Sequence, residues 1–365
     1  MALARRIILT VTNDLTYDQR MQRICTSLSL VGYEVELVGR SMSTSTPLDK
    51  FPFAQTRLQC WVNKGKLFYL EYNIRLFVYL LFQKADIICA IDLDTIIAGY
   101  YAARIKGAKI VYDAHEYFPE VPEVIRRPRV QKIWRWVERT FTPKVDLVYT
   151  TTQTISETFQ KEYNRPIHTI RNLPILLEMT NTPKLDKPYL LYQGAINEGR
   201  GLEHLISAMP DIDIALWLVG DGDIKDQLKA QTQQLGLEGK VIFLGFKKPA
   251  ELKVITAEAY IGLNLLEHKG LSYYYSLANK FSDYIHAGIP QVCVDFPEYR
   301  RLNEQYDIGL LIENLEQNTI KSAIKRLLED KELYSKFKAN CLVCRQELNW
   351  QTEEKKLISL YEQLN

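Results

Sequence analysis

The side chains with the clearest chemical promise lie close together late in the chain, in Ala278-Asn279-Lys280-Phe281-Ser282-Asp283. Asn279 and Lys280 fall in the first turn of a predicted helix whose apolar face is Phe281, Tyr284 and Ile285, and Asp283 lies one turn further in. A helix start that follows a parallel strand offers backbone N–H groups and a partial positive charge, which suits a phosphate. A carboxylate one turn inside can accept hydrogen bonds from ribose hydroxyls, so the spacing points to a nucleotide site. The alternative reading is an ordinary βαβ unit with a solvated aspartate.

The elements that must position these groups follow from apolar patterning. Ile261 to Leu266 reads as a buried strand, Gly288 closes the helix, and Pro290 launches the next strand, Val292 to Val294. In the first half, strands are expected at Ile7 to Val11, Glu34 to Val38, Asp86 to Ile91, Lys109 to Tyr112, Leu147 to Thr151 and His168 to Ile170. Helical patterns alternate with them, at Gln19 to Leu30, from about Thr95, and at about Ile155 to Tyr163. In the second half, Tyr189 to Tyr192, Ala215 to Val219, Val241 to Leu244, Ile261 to Leu265 and Gln291 to Val294 repeat the plan. The expected fold class is α/β, with two Rossmann-like doubly wound parallel-sheet domains facing across a cleft. Their expected bounds are 1–173 and 189–348, joined by a proline-containing linker at 174–188 and followed by an amphipathic helix within 349–365.

Composition bounds the function. The chain has 365 residues, 47% hydrophobic and 25% charged, which suits two globular domains. A net charge of +2 argues against nucleic acid as the main partner. The six cysteines are scattered, and Cys341 and Cys344 form a lone C-x-x-C with no second pair, so no metal is expected. No targeting segment is evident, and the cytosol is the expected compartment. Leu67 to Phe82 is the most apolar stretch, but Glu71, Asn73 and Arg75 interrupt it, and it reads as a core helix. After the first strand the chain runs Thr12-Asn13-Asp14-Leu15-Thr16-Tyr17-Asp18, with no glycine, which excludes the usual dinucleotide fingerprint; P-loop, nucleophile-elbow and zincin motifs are absent too.

The segment Ala278 to Pro290, A-N-K-F-S-D-Y-I-H-A-G-I-P, resembles the donor-site motif P-N-K-L-F-E-Y-x-x-A-G-x-P of GT-B glycosyltransferases, in the large retaining family four. Asp283 stands where that motif has its second, ribose-binding Glu, and Tyr275 stands at the first Glu position. Gly194 to Gly201, G-A-I-N-E-G-R-G, is similar to the family's G-R-L-x-x-E-K-G. Arg200 takes the lysine place there, and Ala195 replaces the other cation. Val219-Gly220-Asp221-Gly222 resembles the V-G-x-G turn, and Val241 to Phe246 the strand after which the nucleobase sits.

This resemblance implies a glycosyltransferase whose donor is a nucleoside diphosphate sugar, UDP- or GDP-linked, with no cofactor and no metal. Gly194, Arg200, Gly220, Gly222, Phe246, Asn279, Lys280 and Asp283 would bind the donor. Arg200 would stabilise the departing diphosphate. His115, at a strand end, would line the sugar pocket and count with Arg200 as catalytic. Asp14, Asp92 and Glu116 are acceptor-side candidates, although either aspartate could instead cap the following helix. It also implies that the final helix crosses back to the first domain. The alternatives are a nucleotide-sugar epimerase of the same fold and a catalytically silent nucleotide-binding subunit. The acceptor is expected to be a glycan, a lipid-linked sugar or a small molecule.

One further stretch carries an expectation of its own. Arg126 to Lys144 holds seven basic residues against Glu138, in a chain of net charge only +2. Val130, Trp134, Val137 and Phe141 recur at helical spacing, so the stripe should pack inward and leave the arginines outside. The alternatives are a solvated surface helix and a peripheral contact with an anionic membrane.

Overall fold

The computed structural model describes residues 4–178 and 187–364, so part of the expected linker lies outside the described residues. Two compact units form. The first runs to Asn172 and includes the chain from Thr352 onward; the second is Leu173–Gln351.

In the first unit, β1 (Arg6–Thr10), α1 (Gln19–Leu30), β2 (Glu34–Arg40), β3 (Ala54–Leu58), α2 (Gly65–Phe82), β4 (Ile87–Ile91) and α3 (Leu93–Lys106) come first. Next are β5 (Lys109–Ala114), α4 (Pro122–Ile125), α5 (Pro128–Phe141), β6 (Leu147–Thr150), α6 (Gln153–Tyr163) and β7 (His168–Thr169). The strands make one seven-stranded sheet in the order β3-β2-β1-β4-β5-β6-β7, every pair parallel. The inner strands read as continuous apolar runs because helices cover both faces; Ile7, Ile8 and Leu9 of β1 and all of β4 are buried. Asp18 caps α1 by accepting from the Met21 amide at 3.0 Å. Buried Arg20 then pairs with buried Asp113 at 2.9 Å and donates to the Ile170 carbonyl at 3.0 Å, fastening α1 to β5 and to the end of the sheet.

The second unit contains β8 (Tyr189–Gln193), α7 (Leu202–Ala208), β9 (Ala215–Val219), α8 (Lys225–Gln234), β10 (Val241–Gly245), α9 (Pro249–Glu258) and β11 (Ile261–Asn264). It continues with α10 (Leu271–Tyr274), α11 (Asn279–Ala287), β12 (Gln291–Val294), α12 (Pro297–Tyr306), β13 (Gly309–Ile312), α13 (Gln317–Glu329) and α14 (Lys331–Glu347). Its parallel sheet has six strands in the order β10-β9-β8-β11-β12-β13. The order reverses at β8 and β11, and ligands of such sheets gather at the carboxyl ends beside that point. The last helix, α15 (Trp350–Glu362), returns the chain to the first unit. There the Arg171 amide donates to Glu353 at 2.9 Å, and the Tyr149 and Tyr361 hydroxyls meet at 3.4 Å.

Three features differ from the sequence reading. Strands β3 and β13 were not among the expected elements. The first, Ala-Gln-Thr-Arg-Leu, is a half-buried edge strand without an apolar run, and the second is only four residues. The Leu67 to Phe82 stretch is not a core helix on all sides. Helix α2 buries Phe68, Tyr72, Leu76 and Leu80 but exposes Leu67, Leu70, Ile74, Val78 and Phe82, since only one of its faces meets the domain.

Helix α5 buries Val137 and Phe141, half-buries Val130 and Trp134, and leaves all its arginines and Lys132 exposed. It also buries Glu138, whose Oε2 accepts from the Tyr163 hydroxyl at 3.0 Å while Oε1 has no partner. Burial pushes this carboxyl up from near 4.5 to about 8, with repulsion from Glu162 and Glu120 adding to it. A raised folded-state value means that ionisation opposes folding, so stability falls as pH rises from about 4.5 through about 8. Glu138→Gln is therefore expected to melt several degrees above the wild type at pH 9 and level with it below pH 4.5, as read by scanning calorimetry.

Candidate functional site

At the carboxyl ends of β8 and β9 two glycine loops lie against each other. The Gly194 amide donates to the Val219 carbonyl at 2.9 Å and the Ile196 amide to Asp221 at 2.9 Å. Gly220 has φ +146°, and a Cβ on it would sit 1.9 Å from the Gly194 carbonyl oxygen, so no other residue fits there. A Cβ on Gly222 would be 2.2 Å from Asn197 Oδ1, which in turn accepts from the Asp223 amide at 3.1 Å. Both loops are thus pressed flat, leaving the strand ends open above Gly194.

Two cations reach this place from different elements. Lys280 lies in the first turn of α11, is 7% exposed, and holds Nζ 3.5 Å from the centre of the Tyr192 ring. Its methylene and ammonium lie 3.5 and 3.6 Å from where a Gly194 Cβ would be. Burial, then repulsion by Arg200, holds the amine well below its ordinary value, with Asp283 opposing. Arg200 lays its guanidinium over Tyr273, 4.6 Å from the ring centre, and its buried Nε has no hydrogen-bond partner. Like charges brought together beside a glycine loop make a receptor for a multiply charged anion. Ala195 is exposed and apolar, and Lys280 brings positive charge to the adjacent Gly194 from the helix instead.

Asp283 is held one turn above. Its Oδ2 accepts from Gln193 Nε2 at 2.8 Å, and Gln193 Oε1 accepts from the Thr256 hydroxyl at 2.7 Å. Asn279 is exposed at the start of α11, where no side chain caps the helix. Phe246, directly after β10, is 59% exposed, and the Gly220 amide donates to the preceding Gly245 carbonyl at 2.9 Å. The expected donor-side residues therefore all border the ends of β8, β9, β10 and β11. Tyr192, Gln193 and Asn197, which seat Lys280, Asp283 and the second glycine loop, were not anticipated. Nothing in their spacing distinguishes them from ordinary strand-end residues.

The remaining candidates lie in the first unit. His115 and Glu116 follow β5; Asp92 follows β4 with φ +57°, strained for a non-glycine residue. Asp92 does not cap α3. Its Oδ1 accepts from the Glu116 amide at 3.2 Å, and Oδ2 stands 4.0 Å from His115 Nδ1. Burial, then the charges of Glu116, Asp94 and Asp113, raises the Asp92 carboxyl well above its usual range; burial lifts neighbouring Asp94 to about 6 although it accepts from Thr12 at 2.7 Å. Asp14 accepts from the Thr16 amide and hydroxyl and from Ser45.

Comparison with known proteins follows this geometry. The family described as Glycosyl transferases group 1 matches residues 178–341, and Glycosyltransferase Family 4 matches residues 19–173. A Campylobacter jejuni N-acetylgalactosamine-N,N'-diacetylbacillosaminyl-diphospho-undecaprenol 4-alpha-N-acetylgalactosaminyltransferase is 27% identical over 42% of this chain and 41% of its own length. This chain thus spans less than half of that relative. Alpha-monoglucosyldiacylglycerol synthase of Streptococcus pneumoniae is 22% identical over 72% of this chain and 68% of its own. Among solved structures, sucrose-phosphate synthase from Thermosynechococcus elongatus superposes with a TM-score of 0.84 at 18% identity, covering 99% of both chains. Anabaena HepE, solved with UDP-glucose, gives 0.77 at 15% identity over 98% of this chain and 99% of its own. At such identities these structures show the fold.

A buried ammonium beside a guanidinium destabilises the empty protein. Lys280→Met, which keeps the length and removes the charge, should raise the melting temperature without ligand by a few degrees. The same variant should lose most of the stabilisation that inorganic pyrophosphate gives the wild type. Thermal denaturation with and without pyrophosphate checks both halves.

Proposed function

For a chain that belongs to the group 1, family-four glycosyltransferases of GT-B fold, we propose retaining transfer of a sugar from a nucleoside diphosphate donor to an acceptor hydroxyl. The observation that carries this reading is the pair of cations, Lys280 and Arg200, meeting beside the Gly194 loop with each resting on an aromatic ring. The diphosphate lies against the glycine backbone, with Lys280 and Arg200 on its oxygens. Asp283, steadied by Gln193, accepts from the ribose hydroxyls, and the base lies by Phe246. As the C1–O bond breaks, its electron pair goes to the leaving phosphate oxygen, and the two cations stabilise the charge that develops there. The acceptor oxygen bonds to C1 on the same face, and its proton passes to the departing diphosphate. In the first unit, His115, Asp92 and Glu116 are the proposed candidates for contact with sugar and acceptor.

The titles of the relatives bear on the substrates. HepE was solved with UDP-glucose, which supports the uridine arm of the expected UDP or GDP donor. One curated relative is named for a diphospho-undecaprenol-linked acceptor and another for a glucosylated diacylglycerol product, which supports a lipid or lipid-linked acceptor. A thermal-shift screen of UDP and GDP, followed by the matching donor sugars, tests the donor, because a specific ligand raises apparent stability. No shift with either nucleotide would remove the reading.

Two substitutions separate the roles. Asp283→Ala should leave the fold intact and weaken nucleotide binding by roughly 1.5–3 kcal/mol, measured by calorimetry. Arg200→Ala should lower kcat on the order of a hundredfold, with the larger part in the chemical step, and Arg200→Lys should recover part of it. Normal turnover in Arg200→Ala would exclude it from leaving-group stabilisation.

A further inference from the structure

The outer layer of the first unit carries an apolar ridge that the donor chemistry does not use. On α2, Leu67, Leu70, Ile74, Val78 and Phe82 follow one another at intervals of three or four, and their exposures run from 45% at Val78 to 84% at Phe82. The face of a surface helix turned from the core is ordinarily polar, so this one lacks a partner. Trp61, just before the helix, is 88% exposed yet held in place: its amide donates to Glu71 at 2.9 Å, and the Arg75 guanidinium sits 4.5 Å over its ring. Glu71 is thereby neutralised by Arg75 at 2.8 Å.

Neighbouring helices continue the surface. Helix α3 packs on α2 and α5 on α3, with Lys106 donating to the Leu81 carbonyl at 3.0 Å and the Tyr69 ring meeting Trp134 at 5.7 Å. Right-handed connections between parallel strands that advance in one direction put these helices on the same side of the sheet. Ile105 of α3 and Ile133 and Trp136 of α5 are 65%, 54% and 61% exposed. The exposed charges on and beside these helices are mainly basic, with Lys66, Lys84, Arg104, Arg129 and Lys132 against Asp86 and Glu123, and the acid of α5, Glu138, is buried.

We propose that the outward face of α2, α3 and α5 docks on an anionic lipid bilayer, with the α2 ridge entering the headgroup layer and the basic residues on lipid phosphates. The charge selects this occupant. A second copy of the chain would bring two basic rims together, whereas an anionic surface meets ridge and rim at once. No described helix is long and apolar enough to cross a membrane, so α2 lies along the surface.

Co-sedimentation with phosphatidylglycerol-containing vesicles and with pure phosphatidylcholine vesicles tests this. The wild type should pellet with the former and much less with the latter. The triple variant Leu70→Ser, Ile74→Ser, Val78→Ser changes only exposed positions, so it should keep its melting temperature while binding at least about tenfold more weakly. Arg129→Gln with Lys132→Gln should weaken binding on the order of tenfold at low salt, a difference that closes as salt is raised. Failure of the wild type to bind anionic vesicles, or undiminished binding by the triple-serine variant, would overturn the proposal. So would a wild-type dimer in light scattering that the triple-serine variant abolishes, since the ridge would then belong to a second copy.

Discussion

Two positive side chains meet beside the Gly194 loop, with the Asp283 carboxylate one helical turn away, and the strand ends of the second unit are arranged around that pair. Lys280 is buried against the Tyr192 ring and Arg200 lies over Tyr273, so each cation rests on an aromatic face instead of a carboxylate. Ring quadrupoles offset part of the desolvation without neutralising the charge. The glycine loops complete the arrangement. Because Gly220 admits no Cβ, the β8 and β9 loops close on one another and a ligand's phosphates can reach backbone. An anion placed there would meet both cations at once, and more strongly as its charge grew, which is what the proposed leaving diphosphate requires.

The first unit buries charge of the opposite sign. Asp92, Asp94 and Asp113 converge near the ends of β4 and β5, where Arg20 answers Asp113 and leaves the other two to be raised by burial and mutual repulsion. Asp92 is also held in a left-handed backbone conformation, a strain that the fold sustains through its contact with the Glu116 amide. Carboxyls raised by burial and held in place suit hydrogen bonding to hydroxyls. The strand ends of the first unit are thus acidic, and those of the second carry the cation pair.

Much of this was legible in the residues, and the exceptions have physical causes. Parallel strands buried on both faces, such as Ile87–Ile91 and Gln291–Val294, announce themselves as apolar runs, and the helix from Asn279 to Gly288 is bracketed by a polar loop and a left-handed glycine. Edge strand Ala54–Leu58 has no such run, because only part of its surface is covered. At the site, Ala195 reads in sequence as a lost cation. Only the fold shows that Lys280, eighty-five residues later, delivers an ammonium beside Gly194. The apolar excess of Leu67 to Phe82 was plain, but a helix apolar on every face does not say which face the core takes; packing on α3 decided that.

The most direct measurement of the central claim is isothermal calorimetry of UDP, UMP and uridine with the wild-type protein and with Lys280→Met. If the cation pair is the heart of the site, affinity rises steeply from nucleoside to diphosphate in the wild type, and most of that rise is lost in the variant. Equal affinity for UDP and uridine, or an undiminished preference for UDP in Lys280→Met, would contradict it.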